Sequence, residues 1–497
     1  MTYSVNGRIK TLGQDTLIYG LGRILQKIVA FLLFPIYTRV LSPYAYGAQD
    51  LIFSAVAILS YLLVLGLDSG TARTYYDTDN PAEKKDILST FLFSQVMISI
   101  PICLVVSLAA KPIAQLLFRD STLAIYLVLG VVSLPFTLIS NVALMALRVT
   151  FRPREYTRIT ILSVLVQAIA SIVFVVIFRF DVLGVFLAHL ITAIFRAFIG
   201  LILTHKQYHH GFSRLWLKRM LAFGAPLVPA SLSIWILNYS NRYFLVRFAS
   251  LEDVGMLAVG NKISSILAML ISAFQVAWGP FAYSLIDNFS LARKTYSKVL
   301  TYFLVVTLSA TTVISLFSRE LILLLSTSDY AGSARVVPYL ALSSVLWGMS
   351  VIVGIGYSIR NKSYHTTIAA LLGAVINIVL NIILIPSWGL IGAAASALFG
   401  NILTVTYSTF ISQKNFYVDY DFRKIAVITV ITLLTIITGL SFDYFFSSRI
   451  VFSLIIKIGF LCIYGVLLFI THSIEMAEIR MFFQFIVTLI PKNFFIH

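Results

Sequence analysis

Charged side chains are scarce in this 497-residue chain, at 11% of the total, against about a quarter in soluble domains. With 59% apolar residues, that excludes a soluble globular protein and points to one that crosses a membrane many times. Acids are the scarcest charges, 20 Asp and Glu against 37 Lys and Arg. The two cysteines, Cys103 and Cys462, lie in apolar runs far apart, which argues against a disulfide or a thiolate metal site. His209 and His210 are adjacent and lack a nearby third ligand, so no metal is expected there. No GxxxxGK[ST] stretch is present, which excludes that kind of nucleotide site. Asp77-Thr-Asp79 matches a metal–sugar-nucleotide pattern but has no soluble domain around it. The chain is therefore not read as an enzyme, and no catalytic residue or cofactor is expected.

What is abundant is long apolar sequence. Fourteen crossings are predicted, over about 12–40, 46–68, 88–110, 123–147, 159–179, 182–204, 220–247, 254–285, 297–317, 333–358, 364–385, 389–412, 424–442 and 450–471. The first run is too long for the core of a cleavable leader and is expected to stay in the membrane. Of the 37 Lys and Arg, 23 fall in segments on the side of the termini, eight on the opposite side and six within spans. That bias places both termini in the cytoplasm of a multi-pass inner-membrane protein. The net charge of +17 is explained by this placement rather than by a nucleic-acid partner.

The chain also repeats itself. At an offset of 208 residues, Arg39 falls on Arg247, Gly47 on Gly255, Lys85 on Arg293, Lys111 on Arg319, Arg152 on Arg360, Tyr156 on Tyr364 and Gly184 on Gly392. The predicted organisation is a six-helix bundle over 1–205, an amphipathic cytoplasmic linker over 206–219, a second six-helix bundle over 220–412, and two extra helices with an amphipathic tail over 413–497. An even number of crossings per repeat relates the bundles by a pseudo-two-fold axis along the membrane normal, with a passenger site between them. The fold class is an all-α polytopic membrane protein.

Polar residues inside spans carry the functional signal. Arg23 and Lys27 share one face of the first span, with Lys27 roughly 20 Å beyond Leu12, near mid-membrane. A cation facing lipid there costs at least about 2.5–3.5 kcal/mol. A wet cavity removes that cost, and a cationic cavity implies an anionic passenger; snorkelling is the alternative. The seventh span carries Asn238 and Arg242 on one face, and the eighth carries Lys262. Arg196 shares a face with His189 in the sixth. These six, Arg23, Lys27, Asn238, Arg242, Lys262 and Arg196, are the candidate passenger-binding residues. Lys457, in the last span, either lines a groove for a lipid tail or snorkels. Asp68, beside Arg73, and Asp50 are the membrane-proximal acids. Each is a candidate for coupling to a proton or sodium ion, a salt-bridged interfacial acid being the other reading of Asp68.

The stretches FPIYTRVLSPYAYG (34–47) and LGLDSGTARTYYD (65–77) resemble the N-terminal region of polysaccharide-export flippases. Those belong to the multidrug/oligosaccharidyl-lipid/polysaccharide exporter superfamily, which includes O-antigen-type and lipid II flippases. The resemblance extends to the topology of two six-helix bundles plus two helices. It implies alternating access, a central cationic cavity and a polyprenyl-diphosphate-linked oligosaccharide as cargo in surface polysaccharide or lipopolysaccharide biosynthesis. Arg23 matches the family's cationic first-helix position, and Lys27 fits the same role. A monomer among membrane lipids is expected. The rival expectations are a drug or small-cation exporter of the same superfamily, which would want carboxylates in the cavity, and a polysaccharide polymerase or ligase, which would want a large outer loop.

Overall fold

A computed structural model describes residues 26–209, 211–446 and 450–471. Among the described residues every regular element is helical, and twelve helices are long and apolar enough to cross a membrane. The helices used below are α1 (Pro43–Val64), α2 (Pro81–Leu108), α3 (Ala124–Val149), α4 (Pro153–Ser171), α5 (Asp181–Thr204), α6 (Arg214–Gly224), α7 (Val228–Phe248), α8 (Leu251–Tyr283), α9 (Phe289–Leu316), α10 (Val337–Val353), α11 (Tyr364–Asn415), α12 (Phe422–Phe446) and α13 (Ile450–Ile470).

Their starts follow from capping chemistry. The side chains of Ser42, Asn80, Ser213 and Asn288 accept hydrogen bonds from the amides of Ala45, Ala82, Trp216 and Leu291. Pro43 and Pro81 occupy first-turn positions, where a missing N–H leaves nothing unpaired. One helix needs a break. At about 1.5 Å per residue α11 would run nearly 80 Å, against a hydrocarbon core of about 30 Å. It turns at Gly389, whose φ of 50° and ψ of −125° are non-helical, three residues after Pro386. A Cβ on Gly392 would lie 2.5 Å from the carbonyl oxygen of Leu384, so the chain folds tightly back on itself there. The two halves match the separate crossings predicted over 364–385 and 389–412. Of the first predicted crossing, residues 12–25 lie outside the described residues and 26–40 within them.

Two compact units are distinguished by their internal packing. The first comprises Met1–Lys262, Ile322–Ser333 and Thr367–Gly400; the second comprises Ile263–Leu321, Ala334–Thr366 and Asn401–His497. In the first unit α3 packs along α5 and α2, and α7 packs on α1. The segment Leu67–Thr74 lies against α6 with almost no side chain between them. A Cβ on Gly66 or Gly70 would meet the carbonyl oxygens of Gly224 and Met220 at 2.1 and 2.2 Å. Small residues permit such backbone contact between membrane helices. Trp216 and Met220 of α6 are buried with Leu67, Phe91, Val142 and Met145. The linker helix thus buries Trp216 and Met220 against protein while Phe212, Leu215 and Phe223 stay exposed. His209, beside it, pairs with Asp86 at 2.7 Å. His210 lies outside the described residues. No cluster of three metal-ligating side chains occurs among those described. Cys103 is buried and Cys462 exposed, both as free thiols.

In the second unit α9 packs on α10 and α12, and α12 on α13. Here Lys457 departs from both sequence expectations. It neither faces a lipid groove nor snorkels: it is 1% exposed, and its Nζ lies 2.6 Å from Glu320 Oε1. Glu320 lies on the short helix Ser318–Leu325. The buried pair fixes the last helix to the same unit as α9. Breaking one side leaves a charge without its counter-ion, the costly case. Lys457→Ala is expected to cost about 2 kcal/mol, seen as a lowered Tm of the detergent-purified protein. The double variant Lys457→Met with Glu320→Gln is expected to recover most of it; equal Tm for wild type and Lys457→Ala would contradict this.

Candidate functional site

The sequence-predicted cations and acids come together in part. Arg242, on the inward face of α7, is 4% exposed. Its Nε donates to Asp50 Oδ2 of α1 at 2.5 Å, and its Nη1 donates to the backbone oxygen of Asn238 at 2.6 Å. The guanidinium also sits 4.8 Å from the ring centre of Tyr239. Such a set of charge-assisted bonds and an aromatic face is what allows a guanidinium to remain ionised away from water. Lys262, half-buried on α8, lies within the field of the same Asp50. One carboxylate thus bonds Arg242 and acts on Lys262 through its field. Asp50, expected as a coupling acid, and Arg242, expected as a passenger ligand, are joined to each other.

The other candidates are separate. Arg23 lies outside the described residues. Lys27 is exposed. Asn238 is exposed, and its side-chain amide donates to the backbone oxygen of Ile234. Arg196 is half-buried, with Nε 2.8 Å from Ser140 Oγ and Nη2 3.3 Å from Asn141 Oδ1, so it is anchored to α3. His189, on its face, stands edge-on to Phe53. Asp68 does not pair with Arg73, which bonds Asp77 at 2.6 Å. Asp68 instead lines a small polar recess of about 160 Å³ with Gln95, Asn141 and Arg148.

Two features were missed. Ser54 Oγ donates to the Tyr243 hydroxyl, and Trp235 Nε1 donates to the Ser54 backbone oxygen, so a polar seam ties α1 to α7 beside the Asp50–Arg242 pair. Below the pair, Asn241 Nδ2 donates to Ala393 O, Asn381 Nδ2 donates to Asn241 Oδ1 and Asn377 Oδ1, and Ser240 Oγ donates to Asn377 Oδ1. Asn377 and Asn381 are both fully buried. Their spacing of four within an apolar run was a readable signal, since amides in spans are placed for partners. A double-mutant cycle tests the central pair. Asp50→Asn leaves Arg242 buried without its counter-charge and is expected to destabilise by roughly 2–4 kcal/mol, a quarter-exposed carboxylate falling short of the full buried-pair figure. Asp50→Asn with Arg242→Met is expected to recover at least half of that; strictly additive losses would contradict the pairing.

Comparisons with known proteins follow the same outline. A family model described as polysaccharide biosynthesis protein matches residues 12–285, more than half of the chain. Over 180 residues the chain is 27% identical to the probable low-salt glycan biosynthesis flippase Agl15 of Haloferax volcanii, a match covering 36% of this chain and 37% of that one. Over 291 residues it is 22% identical to Lsg locus putative protein 1 of Haemophilus influenzae, covering 57% and 69%. The chain thus spans little more than a third of Agl15. Among solved structures it superposes on a lipid II flippase MurJ in an inward closed conformation with a TM-score of 0.72 at 15% identity, covering 90% of this chain and 98% of that one. An inward-facing multidrug resistance MATE family transporter of the MOP superfamily gives 0.67 at 15%, covering 78% and 94%. At these identities the structural likeness speaks for the fold alone.

Proposed function

Since the chain belongs to the polysaccharide biosynthesis protein family, we propose that it is a flippase for a polyprenyl-diphosphate-linked oligosaccharide. It moves this cargo across the cytoplasmic membrane by alternating access, without making or breaking bonds in it. Both termini face the cytoplasm. The observation that carries this reading is the Asp50–Arg242 pair, with Lys262 in the field of the same acid, inside the membrane-spanning region. A residual positive charge in a low-dielectric setting attracts a diphosphate far more strongly than it would in water.

The two cations have different tasks. Arg242 is buried and held by Asp50, so it anchors α7 to α1. Lys262 is less buried and is the cation that meets the passenger. Arg23 and Lys27 receive the diphosphate from the inner leaflet, as their deep position in the first span requires. The sugars travel in water while the polyprenyl chain stays in lipid. A drug or small-cation exporter would need an acid free for its cargo, and Arg242 already occupies Asp50, the acid of this cluster. Asp68 remains the candidate for ion coupling, in its polar recess with Arg148.

Arg23→Ala with Lys27→Ala is expected to reduce surface polysaccharide at least tenfold, the loss of one or two charge-assisted bonds, while membrane insertion of the protein stays normal. Wild-type polysaccharide from that variant would refute the role of the pair.

A further inference from the structure

The first unit holds a deep apolar groove that the cationic cluster does not use. It has a volume of about 550 Å³ and lies between α1, α2 and α3 on one side and α7 on the other. Its floor is formed by the buried residues Ala55, Leu127, Val131 and Trp235. Its few polar atoms are already engaged: Ser240 donates to Asn377, and the Tyr243 hydroxyl accepts from Ser54. Nothing in the groove favours a sugar or an ion. A recess of this size falls in the range of small-molecule and single-chain sites.

At one end the groove changes character. Leu117, Tyr243 and Phe244 line both it and a second cavity of about 610 Å³, so the two run into one another. The second cavity is lined by Arg119 and Arg247. Both arginines are exposed, and neither forms an ion pair among the described residues. Asp120 follows Arg119 in sequence but does not line the cavity. Hydrogen bonds from Thr122 and Tyr44 hold its carboxyl below the usual carboxylate range. From Trp235 at the floor to Arg247 at the mouth is twelve residues of α7 and its end, about 18 Å of rise. One leaflet of hydrocarbon is about 15 Å deep. The groove therefore has the dimensions of a lipid chain within one leaflet, with two guanidiniums at headgroup level.

We propose that this groove and its arginine-lined mouth form an exit site, where the translocated lipid rests with its polyprenyl chain in the groove and its diphosphate on Arg119 and Arg247. The inference builds on the flippase reading above, which places Arg119 and Arg247 on the outer face. Stoichiometry selects the occupant. A single groove takes one chain, and two guanidiniums match two linked phosphates. A glycerophospholipid brings two chains and one phosphate. Arginine is also the side chain whose planar fork suits phosphate oxygens pairwise.

The test uses the full chain purified in detergent, with a sugar-free polyprenyl diphosphate as probe and bound lipid counted by native mass spectrometry. The matching polyprenol and phosphatidylglycerol serve as competitors. It is run in wild type, in Arg23→Ala with Lys27→Ala, in Arg119→Ala with Arg247→Ala, and in the four-site variant. Both outer arginines are exposed, so their replacement leaves the fold intact. Expected is one diphosphate lipid retained by the Arg23/Lys27 variant, weakened about tenfold or more on adding the outer changes. Neither competitor is expected to displace it. Leu59→Trp, which narrows the groove, is expected to weaken the same lipid without touching an arginine. Displacement by phosphatidylglycerol at equal concentration would make this an ordinary structural-lipid site and overturn the proposal. Binding lost in the Arg23/Lys27 variant but unchanged in the outer variant would overturn the exit site and leave the flippase reading standing. Absence of diphosphate binding in wild type would overturn both.

Discussion

The interaction on which the first unit depends is the pairing of Asp50 with Arg242. A lone guanidinium in α7 would be costly in any membrane-spanning helix. Pairing with the carboxylate of α1 removes most of that cost and sets the register of α7 against α1. The polar seam from Ser54 to Tyr243 and Trp235 then follows on the same two helices. Lys262, on the neighbouring helix α8, lies within the field of the same acid. On the proposed reading, the same arrangement that stabilises the helix pair leaves Lys262 for the passenger.

The amides beneath the pair extend the pattern in uncharged form. Asn381 donates to Asn241 and Asn377, and Asn241 donates to Ala393, across α7 and both arms of the bent α11. Bends there are affordable in hydrogen-bonding terms because Gly389 can adopt its non-helical dihedrals and Gly392 leaves room for the returning chain. The second unit uses the same device once more. Lys457 and Glu320 are a buried pair that attaches α13, a helix outside the repeat.

Much of this was legible in the chain itself. Apolar runs mark the spans, and Ser42-Pro43 and Asn80-Pro81 mark helix starts through cap chemistry. The Pro386 and Gly389 break was foreseen as the gap between two crossings. The cations in α7 and α8 were found because charge inside an apolar run is conspicuous. Their partners were not. Asp50 and Arg242 are 192 residues apart, and Lys457 and Glu320 are 137 apart. No local periodicity encodes such a pairing, and only packing decides it. The burial of Trp216 and Met220 in the linker helix was not legible for a related reason. An amphipathic helix presents the same pattern whether its apolar face meets lipid or, as with Trp216 and Met220, a protein groove. Gly66, Gly70 and Gly224 hinted at the second outcome, since small residues make room for a helix that comes close.

The central claim is that surplus positive charge beside Asp50 draws a phosphate-bearing headgroup into the transporter. The most direct measurement is the rate of translocation of a sugar-bearing polyprenyl diphosphate in reconstituted vesicles as residue 262 is varied. The account predicts near-wild-type rates for Lys262→Arg, a marked fall for Lys262→Gln and loss for Lys262→Glu, with all variants folded. Undiminished translocation by Lys262→Glu would contradict it.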